Sequence, residues 1–475
     1  MSLFAVSLAV TNETACDRVA WPVTRGIPLP AGFLRDTDDL RVSGPDGGVV
    51  PLQCRILGLW PDGSIRWVLA DFQADAPAQG KNVYTLFRAE PGLSPASSEI
   101  DNPSDAIRVE EDEDRIMVDT DLLRFRVGKR RYGLFESVEL KRDDSFYPVY
   151  QGDGGDACVR ISEGSSDGGT QRHLYGMGGV CRASLASDAY RAVVEESGPL
   201  RVVIRLDALL EADIPAHHYA GYRPFRCCTR IEAYTGKPFV RLLHTLVMRC
   251  NPRETEIEEI SFRIPATRGG GLCRYAFHAN RDEQGELAPG ETLHLAQRSD
   301  NHFRVYRYRG VSVRITTEGE RSEGWMTLDD GHVGVGVALP YMAEEYPKTL
   351  EISALEQGIH IYFWRDPDGK RLSLKRYDEQ VAWHEGEGVY ADGTGIARTS
   401  ECVAVFYDAQ RRAEAIETLR AVLHPPHTAV DPVWMACCEA AGGMMPADSE
   451  CFPNSERMMT GFMDWMNRCI RLGRW

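Results

Sequence analysis

Apolar and polar residues alternate in short runs from Ala106 to about Asp408, and each run stops at a cluster of Gly, Asp or Pro. Successive side chains of a strand point to opposite faces, so this two-residue period predicts strands over 115–119, 122–127, 200–209, 225–234, 239–249, 311–316, 333–339, 359–364 and 401–407. No helical period interrupts them, which points to a large antiparallel β-sandwich over 106–408 and away from an α/β fold. The Gly-rich run 152–179 has no apolar period and is expected as a long surface loop near a site. After Asp408 the period changes. Ala413, Ile416, Leu419 and Leu423 fall at helical spacing, stopped by Pro425-Pro426. A second helix is predicted from Ser455, with Met458, Met459, Phe462, Trp465, Met466, Cys469, Ile470 and Leu472 along one stripe.

The first 90 residues read as a separate small β-domain. Trp60-Pro61-Asp62-Gly63-Ser64-Ile65-Arg66-Trp67 closes a hairpin: Pro61 presets φ at the second turn position, and Gly63 takes the left-handed exit. Pro28 and Pro30 bar a central ladder position for the segment around Arg25–Gly32 and place it at an edge or a crossover. Residues 91–105, rich in Pro, Ser, Asn and Asp, read as a linker. The expected organisation is thus mainly β: a barrel domain over 1–90, the linker, the sandwich over 106–408, and a helical segment over 409–475.

Composition supports a soluble globular chain, with 43% hydrophobic and 26% charged residues. A net charge of -16 argues against a nucleic-acid or anionic-membrane partner. No run approaches the ~18 apolar residues of a membrane helix. Residues 1–10 lack a basic start and read as a first strand, so a cytoplasmic location is expected. The thirteen cysteines are scattered without a Cys-x-x-Cys pair, and are expected as reduced thiols, mostly buried. His424-Pro425-Pro426-His427 offers half a metal site and reads as a linker. Without a phosphate-binding loop motif, no nucleotide, metal or other cofactor is expected.

Taken in order, Gly26-Ile27-Pro28-Leu29-Pro30, Leu40-Arg41-Val42, Val50-Pro51-Leu52-Gln53 and the tryptophan-flanked turn resemble the N-terminal RIFT barrel of the exo-rhamnogalacturonan lyase-like family. Arg230-Ile231-Glu232-Ala233-Tyr234, Pro238-Phe239-Val240-Arg241-Leu242-Leu243-His244-Thr245, Tyr346-Pro347-Lys348 and Gly393-Thr394-Gly395-Ile396-Ala397-Arg398-Thr399 resemble its central β-sandwich. The resemblance implies an acidic oligosaccharide or polysaccharide as partner, cleaved by β-elimination at a uronate. It also implies a C-terminal α/α toroid, of which 409–475 would be only the start, so this chain alone is expected to be inactive. The unpartnered apolar stripe then implies weak self-association through the last helix, and the two β-domains are expected to fold without residues 424–475. The alternative function is a non-catalytic carbohydrate-binding or scaffolding protein.

Candidate chemistry gathers around one hairpin. With Gly236-Lys237 as a two-residue turn, Tyr234 pairs with Phe239, Glu232 with Arg241, Arg230 with Leu243 and Cys228 with Thr245. Arg226, Arg230, Glu232, Arg241, Thr245 and Arg249 then share one face, and Thr229, Ile231, Val240, Leu242 and His244 the other. Guanidinium groups bind a uronate carboxylate bidentately, so Arg223, Arg226, Arg230, Arg241 and Arg249, with Tyr219, are the candidate substrate-binding residues. Elimination also needs a base for the C5 proton and an acid for the leaving oxygen, for which His218, Tyr222 and His244 are the candidates. Other readings stay open. The arginine face serves equally as a solvated surface with a Glu232–Arg241 pair worth ~0.2–1 kcal/mol, the 217–224 loop as structural, and His244 as a hydrogen-bonded core histidine.

Overall fold

The computed structural model describes residues 5–89, 106–152, 154–163, 179–213, 221–250, 255–266, 273–354, 358–374 and 394–471. It divides into two units, one of residues 1–106, 198–201 and 424–475, the other of residues 107–197 and 202–423.

In the first unit the hairpin Leu52–Leu59 with Ile65–Ala76 is closed as its turn residues dictate. Gly63 has φ +80°, its N–H donates to the Trp60 carbonyl at 2.9 Å, and the Arg66 guanidinium lies over the Trp60 ring. The proline-bearing strand Arg18–Pro28 occupies the edge of this three-stranded sheet. A five-stranded sheet completes the unit in the order His427–Val430, Ala5–Asn12, Gly80–Arg88, Leu40–Ser43, Val49–Val50. Val6, Leu8, Val10, Ile27, Val68, Phe72, Leu86 and Val430 share its core.

This corrects the reading of the C-terminal segment. His427 begins a strand whose Thr428 and Val430 pair with Val10 and Leu8, satisfying the edge of Ala5–Asn12. Asp431 then accepts hydrogen bonds from the N–H groups of Val433 and Trp434 and caps the short helix Pro432–Cys437. The Trp434 indole donates to the Pro28 carbonyl at 2.8 Å, and Arg66 Nε to the Ala440 carbonyl at 2.9 Å. Residues 424–440 are therefore barrel, not linker or toroid. The long helix Pro453–Arg471 follows, and Met458, Met459, Phe462, Met463 and Trp465 on it are exposed.

In the second unit, strands Arg108–Glu111, Arg115–Asp119, Leu123–Gly128, Ser137–Arg142 and Ser145–Gln151 form an antiparallel meander. Two larger antiparallel sheets pack face to face. One runs Ala157–Glu163, Thr255–Ile264, Ile359–Arg365, Lys348–Ser353, Glu291–Ser299, His302–Arg309, Ser312–Gly319. The other runs Arg191–Ser197, Arg201–Asp213, Phe225–Tyr234, Phe239–Met248, Ala397–Asp408, Val333–Ala338, Trp325–Asp329, Arg274–His278, Asp282–Glu286. One continuous apolar core lies between them.

Two expectations change here. Strand Ala157–Glu163 lies inside the run expected as loop and pairs with both Gly179–Arg182 and Thr255–Ile264, while 164–178 lie outside the described residues. Helix Arg412–Leu423 belongs to the sandwich: Ala415, Leu419 and Val422 are buried, and Leu419 fills the space that a side chain at Gly336 would occupy. All thirteen cysteines are free thiols, six of them buried. Among the described residues no helix is long and apolar enough to cross a membrane.

Candidate functional site

The hairpin Phe225–Tyr234 with Phe239–Met248 has the expected register, with Glu232 opposite Arg241, Arg230 opposite Leu243 and Cys228 opposite Thr245. Its turn differs by one residue: the Lys237 N–H donates to the Tyr234 carbonyl, so the turn centres on Thr235 and Gly236, where Gly236 supplies φ +62°. The two faces separate as the alternation requires. Thr229, Ile231, Val240, Leu242 and His244 are buried, whereas Arg226, Arg230 and Arg241 keep partial exposure.

Three arginines of that face, Arg226, Arg230 and Arg241, each meet a carboxylate from a neighbouring strand. Arg230 is bidentate on Glu195 at 2.5 and 3.0 Å, Arg226 reaches Asp207 at 3.1 Å, and Arg205 joins Glu195 to Asp207. Arg241 is bidentate on Glu401 at 2.7 and 2.8 Å and also touches Glu232, to which the Tyr234 hydroxyl donates. Arg223 holds Asp188 and Glu211, and Arg249 donates to the Arg223 carbonyl. Hydrogen bonding from Arg230, outweighing burial, holds Glu195 below the usual carboxylate range. A substrate carboxylate on this face would have to displace these partners. Tyr222 is exposed, and His218 and Tyr219 lie outside the described residues. His244 is brought to the opposite face, 2% exposed between Phe262 and Phe363, so it does not join the arginines.

A cleft of ≈370 Å³ opens instead on the other sheet, and of the strands that line it the hydrophobic pattern singled out only the one over 359–364. Side chains alternate out of Glu291–Ser299, Lys348–Ser353 and Ile359–Arg365, and the register sets His294 opposite Glu351 and Tyr306. His294 Nε2 lies 2.8 Å from Glu351 Oε2, Arg365 Nη1 2.7 Å from the same oxygen, and Arg365 Nε 3.3 Å from Glu259. Burial by itself would raise the Glu351 pKa, but the hydrogen bond and charge of His294 and the charge of Arg365 outweigh it and hold Glu351 at about 2. The Tyr308 ring packs 4.4 Å from the His294 ring, and burial raises its phenol, which therefore keeps its proton. Tyr306, Glu258, Asp366, Lys370 and Arg371 also line it; Arg371 pairs with Glu256 and Glu258, while Lys370 and Asp366 have no ion-pair partner among the described residues. With Nε2 committed to Glu351, His294 Nδ1 is left without a hydrogen-bond partner among the described residues. The cleft thus joins flat rings, a polar hydrogen-bonding floor and two charges outside any ion pair among the described residues, Lys370 and Asp366. The signal in the sequence was there: a histidine and a glutamate, each standing alone in an apolar alternation, Leu293-His294-Leu295 and Leu350-Glu351-Ile352.

Residues 10–86 match the PcRGLX-like N-terminal RIFT barrel domain, and residues 281–421 the PcRGLX-like protein central beta sandwich domain. The uncharacterized protein YetA of Bacillus subtilis (strain 168) is 22% identical over 454 residues, covering 85% of this chain and 50% of that protein. The chain therefore spans about half the length of the curated relative it matches. An alpha-mannosidase from Enterococcus faecalis V583 superposes with a TM-score of 0.51 at 10% identity, over 90% of this chain and 46% of that one, a likeness of fold. A glycosyl hydrolase family 38 protein from Enterococcus faecalis aligns with a TM-score of 0.47 at 10% identity, over 90% and 47% of the two chains.

Proposed function

We propose, from the premise that this chain belongs to the PcRGLX-like family through its RIFT barrel and central β-sandwich domains, that it is a carbohydrate-active protein whose sandwich cleft takes a uronate unit of an acidic polysaccharide. The reaction that fits is β-elimination: the C5 proton leaves to a base, the C4–O4 bond breaks, a C4=C5 double bond forms, and the leaving oxygen takes a proton. Lys370 would meet the uronate carboxylate. His294, oriented through Nε2 by ionised Glu351, offers Nδ1 as base, and protonated Tyr308 beside it is placed to supply the acid.

One observation carries the reading: an oriented imidazole, a phenol packed on it and an unmatched cation share a single cleft. In titration calorimetry, Lys370→Ala is expected to weaken an oligouronide about tenfold and its carboxyl-reduced neutral analogue hardly at all. Equal losses for both ligands would overturn the assignment. Unsaturated product is expected only from a longer protein that carries the α/α toroid the family resemblance implies. Tight binding by that longer protein without unsaturated product would establish the non-catalytic carbohydrate-binding alternative instead.

A further inference from the structure

A second cavity, of ≈530 Å³, lies in the sandwich unit and shares no lining residue with the cleft. Its walls are mostly apolar, formed by Phe225, Met248, Ile257, Phe363 and Trp364; of its charged lining residues, Glu345 pairs with Arg398 and Glu344 with Arg321, each at 3.0 Å. Three deep polar side chains line it: Ser400, Trp364, whose buried indole Nε1 has no hydrogen-bond partner among the described residues, and His244. His244 is 98% buried, and its ring lies nearly parallel to that of Phe363, at 14°. Its Nδ1 is 2.9 Å from Thr229 Oγ1, which is 3.0 Å from the Tyr132 hydroxyl, while Nε2 has no partner among the described residues.

We propose that this cavity binds a small uncharged phenol, its ring between the apolar walls and its hydroxyl on His244 Nε2. Several steps support that choice. Burial lowers the His244 pKa to about 4, so the imidazole is neutral near pH 7 and attracts no carboxylate. The Tyr132–Thr229–His244 chain of hydroxyls can run in either direction, which makes Nε2 a donor in one and an acceptor in the other. A phenol hydroxyl, being both donor and acceptor, satisfies either arrangement. A sugar would strand most of its hydroxyls against Met248, Ile257 and Phe363, so this is not a second copy of the cleft.

The test titrates the intact chain with phenol, and with benzene as a shape control, while the His244 ring nitrogens are followed by ¹⁵N NMR. Phenol is expected to bind roughly tenfold more tightly than benzene and to move the Nε2 resonance. In His244→Phe the preference should fall to about unity. Should that variant fail to fold, the wild-type comparison decides alone. Equal affinity for the two probes, no binding of either, or an unmoved His244 resonance at phenol saturation would overturn the proposal.

Discussion

Glu351 and His294 stand directly opposite each other on antiparallel strands and meet at 2.8 Å, with Arg365 closing on the same carboxylate oxygen. The interaction is mostly buried, so it contributes to stability as well as to the cleft.

Its pH dependence has a definite sign. Folding lowers Glu351 from 4.5 to about 2, so its contribution is complete above pH 4.5 and fades as pH falls toward 2. At 1.36 kcal/mol per unit this is about 3 kcal/mol. Glu351→Gln is expected to lower urea stability at pH 7 by that order and to flatten the acid slope in this window. An unchanged slope would detach Glu351 from the stability of the sheet.

His244 titrates in a different window. Its pKa falls from 6.5 to about 4 because burial disfavours the imidazolium, so the unfolded chain binds the proton first and stability is lost as pH drops from 6.5 toward 4. His244→Phe should remove the slope between pH 6.5 and 4 and leave the one below 4.5 that belongs to Glu351. A denaturation series across both windows separates them.

Arg226, Arg230 and Arg241 are charge-matched, and each pair keeps partial exposure, which limits its worth. Arg230→Lys gives up the bidentate contact with Glu195 and is expected to cost under about 1 kcal/mol. Oligouronide affinity should stay unchanged. A selective loss for the oligouronide over its neutral analogue would return the site to this face.

What could be read from the sequence follows contact distance along the chain. The 225–248 hairpin was legible in full register, because its alternation and Gly236 lie within one short segment. So was the Trp60 turn, closed by its own Asp62 and Ser64. The cleft was not, since His294 and Glu351 come from strands far apart in sequence and only sheet pairing brings them together. The same holds for the carboxylates of the arginine face: nothing local joins Arg241 to Glu401. The four-residue strand His427–Val430 is too short to show a period, and its role depends on the distant edge of Ala5–Asn12.

That strand changes what truncation should do. Ending the chain after Leu423 removes buried Val430, the cap at Asp431 and the Trp434 contacts with Phe33 and Pro28. Each large apolar side chain so exposed costs ~1.5–3 kcal/mol, enough to threaten a small barrel. The barrel is expected to become sensitive to protease after this cut, and to stay resistant when the chain ends after Gly443. Resistance of both truncated forms would show that the strand is dispensable, as the sequence pattern had suggested.

The final helix is predicted to drive self-association. Met458, Phe462 and Trp465 follow one another at four- and three-residue spacing on Pro453–Arg471, and with Met459 and Met463 they are each more than half exposed. An apolar stripe of this width in water favours burial against any matching surface, and a second copy of the same helix offers one. Sedimentation of the chain should therefore show a monomer–dimer equilibrium that tightens with salt, since the contact is apolar and salt screens the net charge of -16. Replacing Phe462 and Trp465 with Ser should return it to monomer with no loss of barrel or sandwich stability, because neither ring is buried. A chain that sediments as a monomer at every concentration, or a dimer indifferent to this double substitution, would remove the helix as the contact.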